Sequence, residues 1–391
     1  MKRIISLCCV LCFIIISTSC ALLGIDMNVQ AEKEEAKFDV KAAYLMDYDS
    51  KVVLYEQNAR EHLPVASMVK LMTILLTFEE IDAGRLSLDE MITTSENASG
   101  MGGSQVFIDP HVDYKCEDLL KSVIVASAND ASVALAERIA GTEEDFVKLM
   151  NKRAKDLGML DTNYVNCTGL PAPMQYSCAR DIATLDREVI THKDYFNYST
   201  IWMEDLVHPS GRKTGLVNTN KLIRYFKGCD CGKTGSTSEA GYCLTASAKR
   251  GDMRLIGTII GAKDSKSRFN ETSKLLNYGF ANFVNKKVLD TNDILGELNV
   301  QKSKTKTVNV SSLEDYYAIM KKGGNSVSEL KVEMPENIPA PVRVGQNVGK
   351  VMIVKDNEVV AEIPLISRDA AEKLNFSEAL SEVIQNWAFW G

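Results

Sequence analysis

Strand-forming runs stand at both ends of a long helical stretch, and that order is what most limits the folds open to this chain. Ala42 to Met46 and Val52 to Tyr55 are β-prone and flank the turn-like Asp47-Tyr48-Asp49-Ser50, which predicts a hairpin. Leu63-Pro64-Val65-Ala66 leads into Ser67 and an apolar stretch, Met68 to Phe78, long enough for a buried helix. Glu117 to Val125 and Ala131 to Ile139 read as helices on either side of Ser127-Ala128-Asn129-Asp130, and Glu143 to Leu157 as a third ending at Gly158. Tyr242 to Ala248 and Leu255 to Ile260 then read as successive strands around the turn residues Arg250-Gly251-Asp252, closed by a helix from Glu271 to Phe283. A chain ordered in this way completes one sheet from its two ends and packs helices on it, an α/β domain of the α+β kind.

Beyond about Asn285 the texture changes to short β-prone pieces: Lys306 to Val310, Leu330 to Met334, Gly349 to Val354 and Val359 to Pro364. Residues 286–376 are therefore expected to form a small β-rich domain after a main domain of residues 32–285. In residues 377–391, Leu380, Val383, Ile384 and Trp387 recur at helical spacing, with Phe389 and Trp390 at the tip. Such an amphipathic helix suits either peripheral contact with a membrane or docking on its own domain.

At the other end, Lys2 and Arg3 precede an apolar run from Ile4 to Ile25, the pattern of an export signal. Residues 1–31 are read as that signal, cleaved after Val29-Gln30-Ala31. Cys20 as a lipid-modified cysteine and the run as an uncleaved anchor are the alternatives. The formal net charge is −7 and becomes slightly more negative without the signal, which argues against nucleic acid as a partner. Six of the ten cysteines lie outside the signal: Cys116, Cys167, Cys178, Cys229, Cys231 and Cys243. An even number permits disulfides in an exported protein without specifying pairs. The four histidines are scattered and no zinc-like quartet exists, so neither metal nor cofactor is expected.

The chemistry-bearing motifs are individually common here. Ser-x-x-Lys occurs at Ser67, Ser210, Ser303 and Ser328, Lys-Thr-Gly at Lys213 and Lys233, and Ser-x-Asn at Ser95 and Ser127. Context selects among them. Only Ser67 opens a long apolar helix, where a helix N-terminus favours developing negative charge. Lys70 follows one turn on, flanked by Val69, Leu71 and Met72, so its amine is placed to take the Ser67 proton once burial lowers its pKa. Ser127-Ala128-Asn129 lies at a break between two apolar helices, whereas Ser95 lies in a polar loop; a helix cap is the plain structural use of either. Lys233-Thr234-Gly235 stands before the strand from Tyr242 and is expected on an exposed sheet edge, while Lys213-Thr214-Gly215 has no such frame. There the lysine and threonine suit a carboxylate, and Gly235 allows close approach of a substrate backbone.

In the order Ser67-x-x-Lys70, Ser127-x-Asn129, Lys233-Thr234-Gly235, these motifs form the signature of the penicillin-recognising serine enzymes. The chain resembles the low-molecular-mass penicillin-binding proteins of the D-alanyl-D-alanine carboxypeptidase type over nearly all of its length outside the signal. That resemblance implies a β-lactamase/transpeptidase-like domain with an antiparallel sheet flanked by helices. It also implies removal of the terminal D-alanine from peptidoglycan pentapeptide stems outside the membrane, with β-lactams as covalent inhibitors. On the matching positions Ser67 becomes the nucleophile, Lys70 its base and Ser127 a proton shuttle. Asn129 binds a substrate amide, Lys233 and Thr234 the terminal carboxylate, and the N–H groups of Ser67 and Ser236 the oxyanion. Arg268, expected in the turn after the Leu255 strand, resembles an arginine that assists carboxylate binding. A class A β-lactamase would need a Glu-x-x-Leu-Asn pattern that is absent between Asn151 and Tyr225. A non-catalytic binder would not need the Ser67–Lys70 pair. Cys229, Cys231 and Cys243 depart from close relatives; a period of two puts Cys229 and Cys231 on the face of Lys233.

Overall fold

The hairpin at the start of the chain forms as β1 (Ala42–Asp47) and β2 (Val53–Gln57). Its partners come from far along the chain: β3 (Cys229–Thr237), β4 (Gly241–Arg250) and β5 (Met253–Ala262). The five strands make one antiparallel sheet in the order β2-β1-β5-β4-β3, so the two ends of the segment do complete a common sheet. This is a computed structural model, and it describes residues 37–323, 329–355 and 357–388. Residues 1–31, read above as an export signal, and Ser328, Phe389 and Trp390 lie outside the described residues.

Between the two halves of the sheet run α1 (Lys70–Asp82), α2 (Cys116–Val125), α3 (Asn129–Ala140), α4 (Glu143–Asp156) and α5 (Ala179–Val189). Every residue of α1 from Lys70 to Phe78 is buried, Lys70, Thr73 and Thr77 included, so α1 is the axis of the main core. α5 covers one face of the sheet. The other is covered by α6 (Ser265–Asn282), which comes close enough that a Cβ on Gly257 would stand 3.2 Å from Leu276 and one on Gly279 would stand 2.5 Å from Leu255.

α6 begins six residues before the expected Glu271, because Asp264 caps it through Ser267 N, and Ser265 to Asn270 are too polar to show a helical period. Phe283 belongs not to this helix but to the strand Phe283–Leu289, which pairs with Tyr316–Lys321. Two short ribbons escaped the sequence reading, Met91–Thr93 with Asp113–Lys115 and Met203–Val207 with Lys213–Val217.

The remainder is β-rich. Six strands pair in the spatial order Glu329–Glu333, Asn347–Lys355, Glu358–Ser367, Thr307–Ser312, Gly296–Gln301, Asn337–Pro339, around a core that includes Val310, Val351, Ile353 and Leu365. A helix, α7 (Phe376–Ala388), follows, with Phe376, Leu380 and Ile384 exposed. Among the described residues, no helix is long and apolar enough to cross a membrane. The six cysteines beyond the signal are free, buried thiols.

Candidate active site

Ser67 sits in a single 3-10 turn, Ala66–Val69, from which α1 continues at Lys70, so the candidate nucleophile precedes the α-helix proper. The spacing of three keeps Lys70 on its face: Nζ lies 3.1 Å from Ser67 Oγ. Lys70 is fully buried and also donates to the Thr168 carbonyl at 2.5 Å. Burial drives its pKa down to about 7, against weaker opposing influences of Cys167 and Asp130, so the amine is available as a base near neutrality.

The turn that carries Ser67 is strained and clamped. Ala66 has φ +48°, a conformation that non-glycine residues rarely adopt. Two glycines press on it from opposite strands of chain. A Cβ on Gly169 would stand 2.1 Å from Ala66 O, and one on Gly235 would stand 2.5 Å from Val65 O and 3.1 Å from Ser67 N. Gly235 is thus required for the approach of β3 to the nucleophile itself, beyond the role anticipated for it toward substrate.

Lys233 lies on β3, the edge strand of the sheet as expected for its motif, but that edge is not exposed there: Lys233, Thr234 and Gly235 are buried, with the Ser67 turn packed on Gly235. Its buried amine donates to Ser127 Oγ at 2.6 Å. Burial, then the neighbouring charges of Lys70 and Arg268, hold its pKa well below the ordinary lysine value. Ser127 has φ +62° and lies between α2 and α3; it is not a helix cap, since Ala128 holds that position. Asn129 opens α3, and its Nδ2 donates to Gly102 O at 2.6 Å while the buried Oδ1 has no hydrogen-bond partner among the described residues.

Arg268 is in the first turn of α6 rather than in a turn after the strand. Its Nη1 donates to Gly235 O at 3.2 Å, its guanidinium stacks over Tyr242 and Phe269, and its buried Nε has no partner among the described residues. Contacts therefore link Ser67, Lys70, Ser127, Lys233, Gly235 and Arg268 into one constellation, with Asn129 beside Ser127 and Thr234 and Ser236 on the same edge strand. The carbonyls of Thr168 and Gly102 were missed by the sequence reading, since a backbone acceptor has no side-chain signature.

The competing motif copies resolve differently. Ser95 caps the short helix Glu96–Ser99 through Ala98 N at 2.9 Å. Lys213-Thr214-Gly215 does lie on a strand, contrary to expectation, but on a peripheral ribbon where exposed Lys213 meets Asp205 and Thr214 meets His208. A bulge interrupts β3 between Cys229 and Cys231, so the two-residue alternation with Lys233 holds for Cys231 and is broken before Cys229. Asp161, Cys178 and Asp181 are the described group whose donor atoms lie near enough together for a metal, but Asp161 is engaged by Arg60 and His62, and Cys178 caps Asp181 N.

Residues 28–264 match the family model of the D-alanyl-D-alanine carboxypeptidases, and residues 283–373 that of the C-terminal domain of penicillin-binding protein 5. The chain belongs to the D-alanyl-D-alanine carboxypeptidase family. Over 355 residues it is 38% identical to the D-alanyl-D-alanine carboxypeptidase DacF of Bacillus subtilis, covering 90% of this chain and 91% of that one. It is 34% identical to DacC of Escherichia coli over 88% of this chain and 87% of that one. Among solved structures, penicillin-binding protein 5 of Haemophilus influenzae superposes with a TM-score of 0.72 at 32% identity, over 86% of this chain and 99% of that one. The ampicillin-bound penicillin-binding protein D2 of Listeria monocytogenes superposes with a TM-score of 0.56 at 33% identity, over 62% of this chain and 98% of that one.

Proposed function

We propose that this carboxypeptidase releases the terminal D-alanine of peptidoglycan stem peptides through an ester on Ser67. The observation that carries the reading is the buried Lys70 amine, 3.1 Å from Ser67 Oγ with a pKa lowered to about 7. Ser67 Oγ attacks the carbonyl carbon of the penultimate D-alanine as its proton passes to Lys70. The oxyanion forms against the N–H groups of Ser67 and Ser236, a stabilisation realised only in the transition state. The C–N bond then breaks, the departing amine takes a proton relayed through Ser127, and water cleaves the ester. Lys233, Thr234 and Arg268 hold the terminal carboxylate, and Asn129 an amide of the stem. A β-lactam presents the same carbonyl and carboxylate and is held on Ser67 as a long-lived ester.

The catalytic part is assigned to residues 32–285, the β-rich domain to residues 286–376 and the terminal helix to residues 377–391. Residues 1–31 direct export, so the enzyme works at the extracytoplasmic face. Phe376, Leu380 and Ile384, exposed along one side of α7, favour peripheral membrane contact there. The deciding experiment incubates the purified protein and its Ser67→Ala variant with a D-alanyl-D-alanine pentapeptide and measures released D-alanine. The variant releases none above background. Release by the variant at the rate of the unmodified enzyme, or failure of labelled penicillin to modify Ser67, overturns the assignment.

A further inference from the structure

We propose that Asn166 and Gln175 form a side-chain clasp whose role is to hold the Thr168 carbonyl against the Lys70 amine, making them positioning residues for the base. The inference rests on the reading of Lys70 as that base. Residues 165–170 belong to no helix or strand, yet Thr168 is 1% exposed and supplies the 2.5 Å acceptor for Lys70. A segment without a ladder of its own has to draw its rigidity from elsewhere.

Here it comes from side chains. Asn166 Oδ1 accepts from Gly169 N at 2.7 Å, from Thr168 N and Oγ1 at 3.2 Å each, and from Gln175 Nε2 at 3.2 Å. Both amide nitrogens converge on Leu170 O, Asn166 Nδ2 at 3.0 Å and Gln175 Nε2 at 2.9 Å. Gln175 Oε1 accepts from Asn166 N and Val165 N at 2.9 and 3.0 Å. From the core side, Thr73 of α1 and Ser132 of α3 donate to Cys167 O, and Glu143 accepts from Cys167 N. The Thr168–Gly169 peptide is thereby held on two sides, and the glycine lets it lie directly on Ala66 and Ser67. One peptide unit thus touches both members of the reacting pair, and its orientation is set by two amides that touch neither.

Removing the Asn166 side chain frees that peptide to turn away and opens the amine to water. Two influences on Lys70 then oppose each other. Loss of the carbonyl disfavours the ammonium, while access of water favours it; burial is the largest cause of the lowered pKa, so its relief prevails. Asn166→Asp acts differently. It keeps the accepting oxygen, leaves Leu170 O to Gln175, and brings a negative charge near the amine, which favours the ammonium.

The test is the rate of acylation by labelled penicillin, as a function of its concentration and of pH, for the full chain and the variants Asn166→Ala and Asn166→Asp. For Asn166→Ala the saturating rate falls about tenfold or more, since a displaced base loses orientation. Non-covalent affinity stays unchanged, and the acidic limb moves to higher pH. For Asn166→Asp the limb also moves up, but the alkaline plateau returns close to that of the unmodified enzyme. A folded Asn166→Ala protein with unaltered limb and rate overturns the proposal, as does a loss of rate that merely follows the folded fraction. Should Asn166→Ala not fold, an unmoved limb in Asn166→Asp overturns it. Acylation of Lys70→Ala at the unmodified rate would instead refute Lys70 as the base, separately from the clasp.

Discussion

Lys233 Nζ donates to Ser127 Oγ across 2.6 Å, joining the edge strand to the loop between α2 and α3. With its oxygen accepting from the lysine, the hydroxyl has its own proton left to give. Ser127→Ala removes the proposed relay and leaves the buried Lys233 amine without its closest partner. Acylation by labelled penicillin is expected to fall roughly 10²-fold or more, the usual scale for one proton-transfer group. D-alanine release should fall with it, and the two losses are read side by side on the same preparation.

The Lys70 amine accepts a proton only when neutral, and burial holds its pKa at about 7. Acylation therefore rises as pH increases through about 7 and falls about tenfold per unit below it. An ordinary lysine would put that rise more than three units higher. The profile is measured with labelled penicillin over the pH range in which the fold is intact. Linkage gives a second sign: the unfolded chain retains the Lys70 proton up to the ordinary lysine value and the native state does not, so this group makes stability increase as pH rises above 7. Lys70→Met should accordingly be inactive and melt several degrees higher at neutral pH.

The parts of this architecture that rest on side-chain pattern were open to reading before the coordinates. The long, mainly apolar stretch after Ser67 singled out one Ser-x-x-Lys from four, and the strand following Gly241 singled out one Lys-Thr-Gly from two. What escaped is set by backbone or by tertiary contact. The Thr168 carbonyl carries no residue preference, the positive φ of Ala66 is imposed by Gly169 and Gly235 from distant segments, and the bulge beside Cys229 breaks an alternation that a period of two assumes. Arg268 was placed in a turn because a polar first turn conceals a helix until its cap, Asp264, is seen bonded to Ser267 N.

Gly235 gives a steric prediction. Its backbone is extended enough for other residues, so the constraint comes from what lies above it: an added Cβ would sit 2.5 Å from Val65 O, 3.1 Å from Ser67 N and 3.2 Å from Ala66 Cβ. Backbone atoms on both sides cannot swing aside as a side chain would. Gly235→Ala is expected to push the Ser67 turn off β3 and to slow acylation about 10²-fold, the scale of an ångström-sized misplacement. Circular dichroism should show the sheet retained.

Asp186 lies beneath the same sheet, fully buried, with Oδ2 accepting from Thr245 Oγ1 at 2.8 Å and Oδ1 without a partner among the described residues. Thr245 stands directly across from Lys233 in the β3–β4 ladder, so the carboxyl supports the strand pair that carries the lysine. Burial raises its pKa to about 7, with the Thr245 hydrogen bond opposing. The native state thus keeps a proton that the unfolded chain releases near the ordinary aspartate value. Stability from this group is full below that value and is lost as pH rises toward 7, above which a buried charge persists. Asn in its place accepts the same hydroxyl and never ionises. Asp186→Asn should therefore melt several degrees above the unmodified protein at pH 8 and show a much smaller gain at pH 5; equal gains at both values would mean that folding does not raise the Asp186 pKa.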